Sequence, residues 1–376
     1  MRVLHVYKSY YPDSVGGIEQ VIAQLGMGLA ALGDECRIYT LSANPVPTVL
    51  RRPEGEVHRS RITAEIASNP ISIPALYEFR RQVQWADVVH YQFPWPFADV
   101  LHLLNERKPS IVSYQSDIVR QKLLLRAYTP LMNRFLDTVG MLVATSPQYL
   151  ESSLALARRK SRVRVIPNGI DESSYPSCSN QALERWRAQV GEGFFVFVGV
   201  LRYYKGLDTL LEAAKGLRAR IVIAGSGPEG IRLAQHAARE GLDNVHFLGE
   251  ISDEDKMCLL RLSRGFVFPS HLRSEAFGMS LVEAAMCARP MVSCEIGTGT
   301  SFINLDGVTG WTVPPQDPDA LRGALHKLQE HPETAAAMGN AARRRFEELF
   351  TAQKMVRAYR DAYSELVATA SASQRN

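Results

Sequence analysis

Short apolar, β-branched runs alternate with stretches of helical spacing from one end of this chain to the other. In the first half the pattern predicts strands at Val3–Tyr7, Cys36–Leu41, Asp87–Tyr91, Ile111–Tyr114, Met141–Ala144 and Val163–Ile166, with amphipathic helices between them such as Ile18–Leu32 and Ile118–Asp137. Runs that are apolar at every position suit strands buried on both faces, as parallel sheets covered by helical crossovers require. The pattern then restarts. Pro167–Asn168–Gly169–Ile170–Asp171 and the serine-rich stretch to Ser179 read as a linker. Beyond them Phe194–Val198, Ile221–Ala224, Val245–Leu248, Phe266–Phe268 and Met291–Ser293 read as strands again. Helices are predicted at Pro318–Glu330, Thr334–Leu349 and Ala352–Val367, and the small polar tail Ala368–Asn376 is expected to fray. The fold class is α/β, with two doubly wound parallel-sheet, Rossmann-like units divided at residues 175 and 176. Such folds bind ligands beyond the carboxyl ends of their strands, and two facing units would share a cleft.

Composition sharpens this picture. A chain of 376 residues exceeds the roughly 250–300 residues at which single cores stop growing. With 46% hydrophobic residues and a net charge of +4 from 43 basic and 39 acidic side chains, disorder is excluded and nucleic acid is not an expected partner. Residues 1–175 hold 20 basic and 16 acidic side chains and the remainder 23 of each, so the surplus lies in the first half and hints at an anionic partner there. Five cysteines without C-x-x-C spacing (Cys36, Cys178, Cys258, Cys287, Cys294) read as buried thiols in a reducing compartment. The chain opens directly on a strand pattern and carries no apolar stretch of the ~20 residues needed to span a bilayer, so a cytoplasmic protein is expected.

Four segments carry candidate chemistry. Gly16–Gly17–Ile18–Glu19 follows the first strand and opens a helix, where free N–H groups suit anions or polar oxygens; a tight turn without ligand reads equally well. Gly199–Val200–Leu201–Arg202–Tyr203–Tyr204–Lys205–Gly206 follows the first strand of the second unit, and its two cations suit a diphosphate or a solvated loop. Gly225–Ser226–Gly227–Pro228–Glu229 reads mostly as a turn. In Pro269–Ala284 a loop carries Glu275 ahead of a helix beginning near Gly278, which holds Glu283. Carboxylates are pure acceptors and suit sugar or ribose hydroxyls, although a helix-entry acid and a solvated helix residue fit the same positions.

Taken in order, the Glu275–x7–Glu283 pair, the Gly199–Gly206 loop, the Gly16–Gly17 pair and Pro167–Asp171 resemble the retaining glycosyltransferases of family four, which have GT-B architecture. The likeness spans residue 2 to about 365. It implies a nucleotide-sugar donor on the second unit (176–351) and an acceptor on the first (1–175), onto which a final helix from about 352 to 376 crosses back. Lys205, with Arg202, would neutralise the diphosphate, Glu283 would bind ribose, and Glu275 would contact the transferred hexose. Phe277, Gly278, Met279 and Ser280 would offer main-chain donors, and Gly16 and Gly17 would also contact the donor. Glu19 and Trp95 fall on the acceptor side. No metal or other cofactor is expected, because cations and helix N-termini meet the charge.

Tyr91–Phe97, Ser116–Gln121 and Glu295–Thr300 look like bacterial O-polysaccharide mannosyl- and rhamnosyltransferases that use GDP-sugars. Two positions depart from the family pattern. Val200 stands where relatives usually carry arginine, and Gln115 stands where they carry histidine before the Ser116–Asp117 pair. Gln115 and Asp117 are retained as catalytic candidates. A sugar-nucleotide epimerase or hydrolase, or a non-catalytic nucleotide-sugar binder, would share the fold. Arg120, Lys122, Arg126 and Arg134 punctuate Ile118–Leu136, a stretch that suits either an anionic membrane surface beside a lipid-linked or oligosaccharide acceptor, or a buried helix with solvated cations.

Overall fold

The apolar runs become central strands in a computed structural model that describes residues 1–105, 108–118 and 122–373. Met1–Gly169 with Ala352–Asn376 form one unit, and Ile170–Thr351 form the other. In chain order the first unit contains β1 (Arg2–Val6), α1 (Gly17–Ala31), β2 (Glu35–Ser42), β3 (Val49–Arg52), β4 (Gly55–Arg61), β5 (Ala64–Ile66), β6 (Asn69–Ile71), α2 (Ala75–Trp85), β7 (Val88–Phe93), α3 (Pro96–Leu104), β8 (Ser110–Tyr114), α4 (Lys122–Thr138), β9 (Met141–Ala144), α5 (Pro147–Ser152), α6 (Leu154–Ala157) and β10 (Val163–Val165). Its sheet runs β10-β9-β8-β7-β1-β2-β4-β3, parallel except for β3, and β5 pairs with β6 in a separate hairpin. β1, β7, β8 and β9 are buried almost throughout. The arginine-bearing strands β3 and β4 carry no continuous apolar run, which is why the sequence pattern passes over them; β3 is the sheet edge, where charge discourages pairing with other chains.

The second unit contains α7 (Asn180–Val190), β11 (Phe195–Val198), α8 (Leu207–Ala214), β12 (Ile221–Ala224), α9 (Gly230–Arg239), β13 (Val245–Gly249), α10 (Asp253–Leu262), β14 (Gly265–Phe268), α11 (Met279–Met286), β15 (Met291–Cys294), α12 (Gly299–Ile303), β16 (Gly310–Val313), α13 (Pro318–Glu330) and α14 (Pro332–Leu349). Its sheet is wholly parallel, in the order β13-β12-β11-β14-β15-β16. Ser179, Ser252 and Asp317 cap α7, α10 and α13 by accepting from backbone N–H groups, contacts worth about 1 kcal/mol each.

The boundary falls six residues earlier than the expected 175/176. Ile170 N–H donates to Phe350 O at 2.9 Å, Arg343 grips both oxygens of Glu172, and Tyr175 donates to Glu283, so 170–175 belong to the second unit. The expected fraying of the tail is also corrected as far as Ser373, where α15 ends after starting at Ala352; residues 374–376 lie outside the described residues. Its alanines favour helix, and Thr369 and Ser371 bond back to the carbonyls of Glu365 and Val367. α15 packs on α1 so closely that a Cβ at Gly28 would lie 2.4 Å from Val356. With this helix included, the first unit holds 24 basic and 16 acidic side chains and the second 19 and 23. The surplus assigned to the first half is therefore larger by unit, and of opposite sign in the other.

All five cysteines are free; Cys178 and Cys287 are half-buried rather than buried. No helix among the described residues is long and apolar enough to cross a membrane.

Candidate functional site

In the second unit β11 lies between β12 and β14, so the chain leaves it to one side and returns on the other. That switch point opens a crevice beyond the strand ends. The loops that follow β11 and β14 meet there. Gly206 makes the junction: it has φ +69°, and a Cβ would lie 1.9 Å from Pro269 O. His271 N–H donates to Tyr204 O at 3.0 Å across the same seam.

The seam brings two candidates together. Lys205 Nζ donates to Glu275 Oε2 at 2.5 Å, with the side chains only 11% and 12% exposed. Ser270 Oγ donates to the same oxygen at 3.3 Å, and the ammonium lies 4.7 Å from the centroid of the Phe268 ring. Burial, then the charge of Glu275, pushes the Tyr204 hydroxyl up to about 12. The ammonium has three N–H bonds and Glu275 takes one, so it retains donors for an anion. Val200 and Arg202 are exposed on either side of buried Leu201, and Arg202 has no ion-pair partner among the described residues. The cation that follows the departure at Val200 is thus open to solvent.

Gly278, at φ +97°, turns the chain into α11. Phe277 is buried, while Met279 and Ser280 are half-buried in the first turn, where unpaired N–H groups and the helix dipole favour negative charge. Glu283 lies further along α11, its Oε1 accepting from Tyr175 O–H and Lys256 Nζ, both at 2.8 Å. Neither partner was legible in the sequence, since they lie 108 and 27 residues away.

The first-unit candidates stand in a different setting. Gln115 is buried; its amide donates to Gln92 Oε1 at 3.0 Å and accepts from Asn168 Nδ2 at 3.3 Å. Gln92 in turn bonds His90, whose ring also meets Ser113 and Tyr363. Asn168 belongs to the Pro-Asn-Gly-Ile-Asp segment, so that segment supports Gln115. Asp117 Oδ1 accepts from Tyr114 O–H and Ser153 Oγ. Gly16 caps α1 with an extended backbone and leaves room for the buried Glu19 carboxylate, whose Oε1 accepts from Ser9 and Ser14; Gly17 begins the helix. Glu19 thus ties down its own loop. Trp95 corrects the acceptor reading. It is fully buried, its indole N–H donating to Pro70 O at 3.1 Å, with Phe93 and Phe97 also buried, so this aromatic segment is core and offers no sugar face. Arg126 and Arg134 of α4 are exposed, whereas Arg120 and the Lys122 side chain lie outside the described residues. Among the described residues no three His, Cys, Asp or Glu side chains gather as metal ligands would.

Two α/β units built on largely parallel sheets, the second with a cation and a carboxylate paired at its strand switch point, define the doubly wound class of ligand-binding folds. Residues 15–174 match the model described as Glycosyltransferase Family 4, and residues 180–345 match glycosyl transferases group 1. The chain belongs to this glycosyltransferase family and has the GT-B fold. It is 51% identical to the D-rhamnosyltransferase WbpZ of Pseudomonas aeruginosa, over 94% of this chain and 93% of that one. It is 47% identical to the O-antigen chain mannosyltransferase C of Escherichia coli, over 98% and 99%. Among solved structures, sucrose-phosphate synthase from Thermosynechococcus elongatus shares the fold, with a TM-score of 0.80 at 21% identity and coverage of 98% and 99%.

Proposed function

We propose that this glycosyltransferase moves mannose or rhamnose from a GDP-sugar, with retention of configuration, to a lipid-linked or oligosaccharide acceptor in O-antigen synthesis. The observation that carries this reading is kinship over nearly the full length with a rhamnosyl- and a mannosyltransferase. The sugar C1–O bond to the diphosphate breaks, with Lys205 and Arg202 meeting the charge that develops on the leaving oxygens, and no metal takes part. The acceptor oxygen bonds C1 from the same face and passes its proton to a phosphate oxygen. Glu275 holds the hexose, and the first-turn amides of α11 contact phosphate and sugar. Gln115 and Asp117 line the acceptor side. The excess of basic over acidic residues in the first unit supports contact with an anionic membrane surface that presents the acceptor.

Loss of a charge contact of this kind costs about 2.7–4 kcal/mol, or 10²–10³ in kcat. Lys205→Met and Glu275→Gln should each lower transfer at least that far. Each leaves the other group without its partner, and breaking a buried pair costs about 3–5 kcal/mol. The double variant should recover much of the stability without recovering transfer. Turnover assays on GDP-mannose and GDP-rhamnose, beside urea denaturation, test both statements; full transfer in either single variant refutes the assignment. A thermal shift with GDP exceeding that with UDP tests the base, since ligand at 100 times its Kd adds about 2.7 kcal/mol.

A further inference from the structure

The two carboxylate oxygens of Glu283 have different surroundings. Oε1 accepts from Tyr175 and Lys256, whereas no donor among the described residues reaches Oε2. Lys256 is itself fixed: its Nζ also meets Asp253 Oδ1 at 2.8 Å and lies 5.0 Å from the centroid of the Tyr175 ring. Burial works against the Lys256 charge, but Glu283 and Asp253 outweigh it and hold the ammonium above the usual lysine range. A glutamate's terminal torsion is broad and two-fold, so an unrestrained carboxylate swings. Here two donors on one oxygen stop that motion.

We propose that Lys256 and Tyr175 are positioning residues that set Glu283 so that Oε2 accepts from the ribose hydroxyls of a nucleoside diphosphate-sugar. The inference rests on the donor reading above and deepens it, and it holds for any base. Neither residue touches the ligand; both act through one carboxylate oxygen and leave the other to bind.

Calorimetry with GDP, UDP, their 2′-deoxy counterparts and inorganic pyrophosphate tests it. Wild-type protein should favour the ribonucleotide over its deoxy form about tenfold, as charge-assisted bonds to a carboxylate allow. In Lys256→Met the ratio should fall to about twofold. Tyr175→Phe should lie between the two, and Lys256→Arg should keep most of the preference. Pyrophosphate has no ribose and should bind all four proteins alike. A wild-type ratio in Lys256→Met overturns the proposal, as does a loss of pyrophosphate affinity in step with that for nucleotide. Wild-type protein that binds no nucleotide, or that ignores the 2′-hydroxyl, overturns the donor reading and the inference with it.

Discussion

His5 and His90 lie in the core of the first unit with ring centroids 5.1 Å apart. Neither nitrogen of His5 has a hydrogen-bond partner among the described residues, and burial pushes the ring down to about 4. Burial, and then His5, drives His90 well below its usual value. An unfolded histidine titrates near 6.5. As the pH falls from there toward 4 the unfolded chain therefore binds more protons, and stability present above pH 6.5 is progressively lost. His5 alone should account for about 2 kcal/mol between pH 7 and pH 5. Urea denaturation at the two values checks this, and His5→Leu should flatten the dependence. At this scale the sequence singled out Lys205 and Glu275, which the fold pairs, because both sit in strand-to-helix loops. It missed Tyr175 and Lys256, because only tertiary packing brings them to Glu283. Trp95 was misplaced because a proline-flanked aromatic segment reads alike whether it faces water or core.

At the scale of elements, the joint between the β11 and β14 loops depends on a residue without a side chain. Gly206→Ala should force Pro269 O away and separate Lys205 from Glu275, at a cost of about 2 kcal/mol or more from strain and displacement and with a large loss of transfer. Gly216 has a similar φ of +78°, but a Cβ there would meet nothing within 4 Å. Gly216→Ala should therefore cost only about 1 kcal/mol and leave turnover intact. Denaturation and turnover on both variants separate close approach from backbone conformation. Strands buried on both faces were legible because burial leaves a continuous apolar run. β3, β4 and β16 were not, since a charged or mixed strand at or beside a sheet edge resembles a loop. The extension of α15 was missed because alanine, serine and threonine read as tail when their backbone bonds are unseen.

At the scale of the whole molecule, the chain begins and ends in one unit and makes the other in a single pass. The sequence announced two units through the restart of its strand pattern, but only pairing shows that Ile170 joins Thr351. Residues 170–351 alone should fold cooperatively, as followed by circular dichroism on heating. A chain ending at Thr351 should expose the first unit's core, because Tyr359 and Tyr363 bond Ser113 and His90 there; enhanced dye binding and proteolysis confined to 1–169 would report it. α15 also orders events on the ribosome. Once Gly169 has been made, the 182 residues Ile170–Thr351 must be translated before the helix that completes the first unit, a delay of roughly 10–40 s at 5–20 residues per second. During that interval nascent chains carry an open first unit beside a second one still being made, the form that chaperones and proteases meet.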